Sequence, residues 1–226
     1  MKTDETTEGL IEGLARGLEP VPRLHSPGKR ASMWSLGAAL YVVLVAAGML
    51  WMAGFTMPWS VPFYVSQLVA VATGGLASAA AFASVVPGSS DRWRGWAVLA
   101  AAIWLATFIV ASPADVAWAA VTSAPHEWLC VALILIGGAP LLIVLTAMLR
   151  RGAPLAPAAT AGFAALAAAS LTNVAACVAL PHDNGAVTFA WHGGVVFAAV
   201  LITALCGHLL FRWRATVPSA IGGVSR

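Results

Sequence analysis

Six apolar runs, each close to the length of a bilayer crossing, alternate along this chain with short polar pieces. The runs are Trp34–Phe55, Pro62–Val86, Gly95–Ser112, Trp128–Leu149, Ala158–Leu180 and Phe189–Phe211. A hydrocarbon core of about 30 Å takes roughly 20 residues of helix at 1.5 Å per residue. Ten-residue segments of alternating polarity, the mark of a membrane β-barrel, do not occur in the sequence. The pattern predicts an all-α fold, a polytopic membrane bundle of six transmembrane helices. Residues 31–214 would form the bundle, 1–30 a cytoplasmic amino-terminal tail and 215–226 a short cytoplasmic carboxy-terminal tail.

Charge orients the bundle. Of 226 residues only 9% are charged and 60% are hydrophobic, with a mean hydropathy of +0.86. A soluble domain carries about 25% charged residues, so this chain could not cover its own surface in water. All 12 Lys and Arg residues fall in the tail, in two loops (Arg92 and Arg94; Arg150 and Arg151) or at the carboxy-terminal end. The other loops carry only Asp115, Glu127 and Asp183. The positive-inside rule then predicts both termini on the cytoplasmic side. The positive balance reflects topology, and no nucleic acid is needed to explain it. Trp34, Trp93, Trp96 and Trp213 at one boundary, with Trp59, Trp128 and Trp191 at the other, read as aromatic belts. Pro140 in the fourth run removes the hydrogen bond to the Ile136 carbonyl and makes that run the hinge candidate.

The tail is the one sizeable polar piece. Leu10, Ile11, Leu14 and Leu18 recur at helical spacing, an apolar stripe on a short amphipathic helix. The acids Asp4, Glu5, Glu8, Glu12 and Glu19 outnumber Lys2 and Arg16. An interfacial helix on an anionic inner leaflet should be basic, so the acidic stripe fits a protein groove with a basic rim instead. Gly9, Gly13 and Gly17 each cost roughly 1 kcal/mol of helix stability against alanine, and the tail is expected to order on a partner.

The remaining chemistry gathers at the outer face. Cys130, Cys177 and His192 lie at similar depth, roughly 3–5 Å inside the outer boundary at about 1.5 Å per residue. His126 precedes Cys130 by one turn, and His182 and Asp183 occupy the last outer loop, just before Trp191. Sensing candidates are therefore Cys130, Cys177, His182, Asp183, Trp191 and His192. Thiol and imidazole together suit soft or borderline metals and redox chemistry, and His126, Cys130, His182 and His192 are the candidate metal ligands. No resident cofactor is expected beyond a transient metal ion there. Hydrolase, Walker and dinucleotide-binding motifs are missing from the sequence, so an enzyme is not expected. A small transporter or channel, or a metal- or redox-binding membrane subunit using this outer pocket, is the alternative reading.

Several stretches in order resemble the NrsF-like family of bacterial six-span membrane anti-sigma factors. They are the opening MKTDETTEGLIEGLARGLEPVPRL, the loop SVVPGSSDRW, the fourth run and its exit CVALILIGGAPLLIVLTAMLRRGAPLAP, and ALPHDN with FAWHGG and HLLFRW. The resemblance implies a cytoplasmic-membrane protein whose tail holds an extracytoplasmic-function sigma factor and releases it under stress. Leu10, Ile11, Glu12, Leu14 and Leu18 would then be the sigma-binding residues. It also implies a cysteine at the start of the fourth span, matched by Cys130, and a second beside the proline of the last outer loop. That second position reads Leu180–Pro181–His182 here, so a two-thiol device would need Cys177, one turn earlier.

Overall fold

The Ala-rich fifth run becomes the centre of the molecule. A computed structural model describes residues 4–16, 25–53, 60–110, 127–152, 154–180 and 189–211. Every regular element among them is helical: α1 (Asp4–Arg16), α2 (Pro27–Ala53), α3 (Val61–Ala83), α4 (Arg92–Val110), α5 (Glu127–Leu149), α6 (Pro157–Ala179), a π-helical turn (Phe189–Gly193), α7 (Gly194–Leu205) and α8 (Gly207–Leu210). Pro157 starts α6 at a position where its missing N–H costs nothing. Alanine, the best helix former, fills half of the rest. Small side chains let α2, α3, α5, α7 and α8 all pack against α6. Of the α6 span 78% is buried, against 17% for α2. The helix with the smallest residues is therefore the inside one.

In lipid, apolar surface gains little by leaving its solvent, so close packing and hydrogen bonds must hold the helices. Gly74 of α3 marks one close approach: a Cβ there would meet Leu171 Cγ of α6 at 2.6 Å. Polar side chains stitch other helix pairs. Ser84, at the end of α3, and Thr160 of α6 stand 2.6 Å apart, and Ser35 of α2 and Ser78 of α3 3.2 Å apart. Around Pro140 of α5, Tyr41 donates to the Gly137 carbonyl at 2.9 Å and Trp34 to the Leu141 carbonyl at 3.3 Å. Side chains of a neighbouring helix thus attend to the backbone that a proline disturbs.

Several expectations change. Among the described residues four helices are long and apolar enough to cross a membrane: Pro27–Met52, Val61–Ala83, Trp128–Leu149 and Pro157–Ala179. The third run forms the apolar helix α4. The last run is a shorter apolar helix, Phe189–Leu205, that opens in the π turn. It is interrupted at Cys206 before α8, where a Cβ on Gly207 would meet the Pro157 carbonyl oxygen at 2.6 Å.

Trp34 is no belt residue. It is 4% exposed and packed in the core with Phe82, Leu141, Leu145 and Phe211, because its indole N–H has a carbonyl to meet inside. Trp93, Trp96 and Trp128 are exposed as belts require, while Trp59 and Trp213 lie outside the described residues. Pro27 begins α2, at a position where its missing N–H costs nothing. The tail helix spans Asp4–Arg16, with Glu12 and Arg16 paired at 2.8 Å on successive turns.

Candidate functional site

Near the carboxy-terminal end of α6, two polar residues interrupt the alanines: Asn173 and Cys177, one turn apart and both buried. Opposite them the π turn presents His192, fully buried. A π turn inserts an extra residue into the helical ladder and often marks a functional position. Here it ends on Gly193, and Gly194 opens the helix that follows.

The three side chains form one cluster. Asn173 Oδ1 lies 2.7 Å from His192 Nδ1. Because a carbonyl oxygen only accepts, Nδ1 carries the proton, and Asn173 sets the imidazole tautomer. Cys177 Sγ stands 3.4 Å from the same Nδ1 and receives Asn173 Nδ2 at 3.5 Å. The amide of Asn173 thus touches both the imidazole and the thiol, and ties the two together. The cluster sits against apolar residues: Ala169, Ala176 and Val196, each about one turn from Asn173 or His192, pack with Ala70, Trp104, Phe108 and Ile134.

Aromatic contacts hold the π turn in place. Trp191 meets Trp128 of α5 edge-on, centroids 5.4 Å apart at 65°. Phe189 lies 6.5 Å from Phe108 of α4, which in turn is 5.7 Å from Trp104. Such pairs contribute about 0.5–1.5 kcal/mol each beyond area. The Trp128 contact also brings the start of α5, with buried Cys130, to the same end of the bundle as Cys177 and His192.

Of the sequence-derived candidates, the structure thus gathers Cys130, Cys177, Trp191 and His192 at one end. His126, His182 and Asp183 lie outside the described residues. The cysteines Cys130, Cys177 and Cys206 are thiols, not disulfides. Among the described residues no group of three or more His, Cys, Asp or Glu could hold a metal, and two of the four suggested ligands fall outside them. Of the tail stripe, Ile11 is exposed, as is Glu12. Leu10 and Leu14 belong to α1, and Leu18 is outside the described residues. Pro140 lies within α5, exposed. Sequence reasoning missed Asn173 as the centre of the cluster. The available signal was its spacing of four from Cys177 in a helix otherwise of small residues.

A family model described as negative regulator of sigma F (NrsF) matches residues 14–213. The chain belongs to that family. No curated protein and no solved structure matches it. The matched region contains every helix from α2 to α8, and with them the Asn173–Cys177–His192 cluster. Membership makes this chain a negative regulator of a sigma factor by family, which agrees with the resemblance seen in its motifs.

Proposed function

We propose that the chain is a membrane-bound anti-sigma factor of the bacterial cytoplasmic membrane. Its amino-terminal tail sequesters an extracytoplasmic-function sigma factor on the cytoplasmic face and releases it on an envelope, metal or oxidative signal. Family membership over residues 14–213 is the observation that carries this reading. In it all six apolar runs cross the membrane with both termini inside, as the placement of the basic residues supports. The protein acts by binding and release; it catalyses no reaction and does not itself touch nucleic acid.

The helix α1 supports the docking role. Ile11 is 61% exposed there, and an apolar side chain on a charged helix gains by entering a partner's groove. The cluster at the other end supports sensing. Metal capture, with loss of the thiol proton, or oxidation by an oxidant from outside would change the Cys177 sulfur that Asn173 and His192 now contact. That change would act on α6, against which most of the bundle packs. A bias of about 1.4 kcal/mol shifts a two-state ratio tenfold.

Co-purification tests the docking element. The parent chain in its native membrane should retain the sigma factor, whereas Ile11→Glu and Leu14→Glu should lose it with membrane insertion unchanged. Loss of a central anchor costs about 2 kcal/mol or more, upwards of about 30-fold in affinity. Retention by both variants at the parent level would remove the reading.

A further inference from the structure

The opposite end of the bundle carries a group that helix packing leaves incomplete. Arg30, in the first turn of α2, is 6% exposed. Its Nη2 donates to the Met148 carbonyl at the end of α5, satisfying one of the carbonyls a helix terminus leaves open. The guanidinium carbon stands 4.7 Å over the centre of the Phe82 ring of α3. One face and one edge of the guanidinium are thereby fixed. Nη1 is buried and has no hydrogen-bond partner.

The surroundings indicate what is missing. Lys29 and Arg151 are exposed, and Arg151 stands close enough for its charge to oppose that of Arg30. No acid answers these cations: among the described residues the ion pairs are Glu12–Arg16 and Asp91–Arg94. Arg150 is occupied elsewhere, donating Nε to the Leu210 carbonyl at 2.8 Å. A water or a neutral carbonyl could accept from Nη1 but would not offset like charges held together. An oxyanion does both, and a phosphate has oxygens enough to take Nη1 and an exposed cation at once. The first turn of α2 and the last turn of α5 are ends of spanning helices, the depth at which lipid phosphates lie.

We propose that Arg30, with Arg151 and Lys29, holds the phosphate of an acidic phospholipid where the first turn of α2 meets the end of α5. Arg30 supplies the buried donor, Phe82 fixes its plane, and the two surface cations close over the headgroup. Nη1 is covered in the chain alone, so the headgroup reaches it by displacing flexible side chains at the surface. The site depends neither on which face of the membrane is inside nor on a sigma factor.

Native mass spectrometry of the full chain, purified from nanodiscs of phosphatidylglycerol or phosphatidylcholine, tests it. The parent should keep phosphatidylglycerol under detergent that strips phosphatidylcholine. Arg30→Gln should retain about tenfold less or lower, the effect of losing one charged hydrogen bond. Because that variant also loses the Met148 contact, Arg151→Gln carries the decision. It lies at the surface and should weaken retention without changing the melting temperature of the lipid-free protein. Equal phosphatidylglycerol retention by the parent and both variants overturns the site. Inorganic phosphate separates the sources. If phosphate alone raises the melting temperature as much as phosphatidylglycerol does, the site serves a free anion and the lipid assignment fails; if it does not, the assignment stands.

Discussion

At one end of the bundle Asn173, Cys177 and His192 bury neutral polar groups that answer one another. At the other, Arg30 buries a charge whose last donor finds no acceptor within the described chain. Both ends rest on the same helix: α6 carries Asn173 and Cys177, and its first turns pack against α3 and α8. The difference is one of cost. Neutral interhelical hydrogen bonds in membranes contribute about 0.6 kcal/mol on average, so a mutual cluster asks little of the fold. A guanidinium asks for a counter-charge. The neutral end holds Asn173, Cys177 and His192 in contact with one another and is open to chemical change at its sulfur. The charged end is complete only with something from outside.

Breaking the charged end should give the largest effect. Gly207 starts α8 beside the first turn of α6, where a Cβ would stand 2.6 Å from the Pro157 carbonyl oxygen and 2.8 Å from Ala158 Cα. Both are backbone atoms and cannot swing aside. Gly207→Ala should cost about 3 kcal/mol and should pull Leu210 away from Arg150. At the neutral end, Gly193→Ala meets nothing closer than 3.7 Å and should cost under about 1 kcal/mol. Thermal unfolding in detergent measures both, and equal midpoints for the two variants would show that the close approach at α8 is not there.

A smaller effect is expected from the neutral end. Asn173→Leu removes the acceptor of His192 Nδ1 and one donor to Cys177 while keeping the volume similar. The stranded polar groups should cost about 1–3 kcal/mol. Cys177, no longer held, should alkylate faster with a small membrane-permeant reagent. Unchanged labelling together with an unchanged melting temperature would mean that the three residues are neighbours without being coupled.

Much of this was legible in the sequence and some was not, for physical reasons. Each of the six runs became helical, four of them as helices long and apolar enough to span among the described residues, because apolar length in a low-charge chain leaves few alternatives. The Ala-rich composition of residues 158–180 suits the close packing that α6 shows. The similar depths of Cys177 and His192 followed from counting residues along helices. Partner choice could not be counted. Asn173 faces His192 because a π turn, not a regular helix, presents the imidazole, and hydropathy carries no trace of that turn. Trp34 and a belt tryptophan look alike in sequence; only the Leu141 carbonyl beside Pro140 gives this indole an inward partner. Arg30 served as one more basic residue marking a boundary, and its burial depends on Phe82, on another helix.

The smallest effect expected concerns the stretch that joins the two ends. Helix α5 carries Cys130 near its start and Met148 near its end, with Pro140 between them. Proline denies the Ile136 carbonyl its usual donor, and Tyr41 donates to the adjacent Gly137 carbonyl at 2.9 Å. If the proline is what opens the backbone for the tyrosine, the two should be coupled. Tyr41→Phe should cost about 1 kcal/mol in the parent chain, the worth of one hydrogen bond. In a Pro140→Ala background α5 can regain its ladder and draw the carbonyls inward, so the same substitution should cost about 0.5 kcal/mol less. A double-mutant cycle of unfolding free energies measures this coupling. Costs that add to within about 0.3 kcal/mol would make the proline and the tyrosine independent. The expectation that Pro140 is a hinge would then lose its structural support, and a change at Cys130 would have no evident bend in α5 through which to reach the Met148 carbonyl and Arg30.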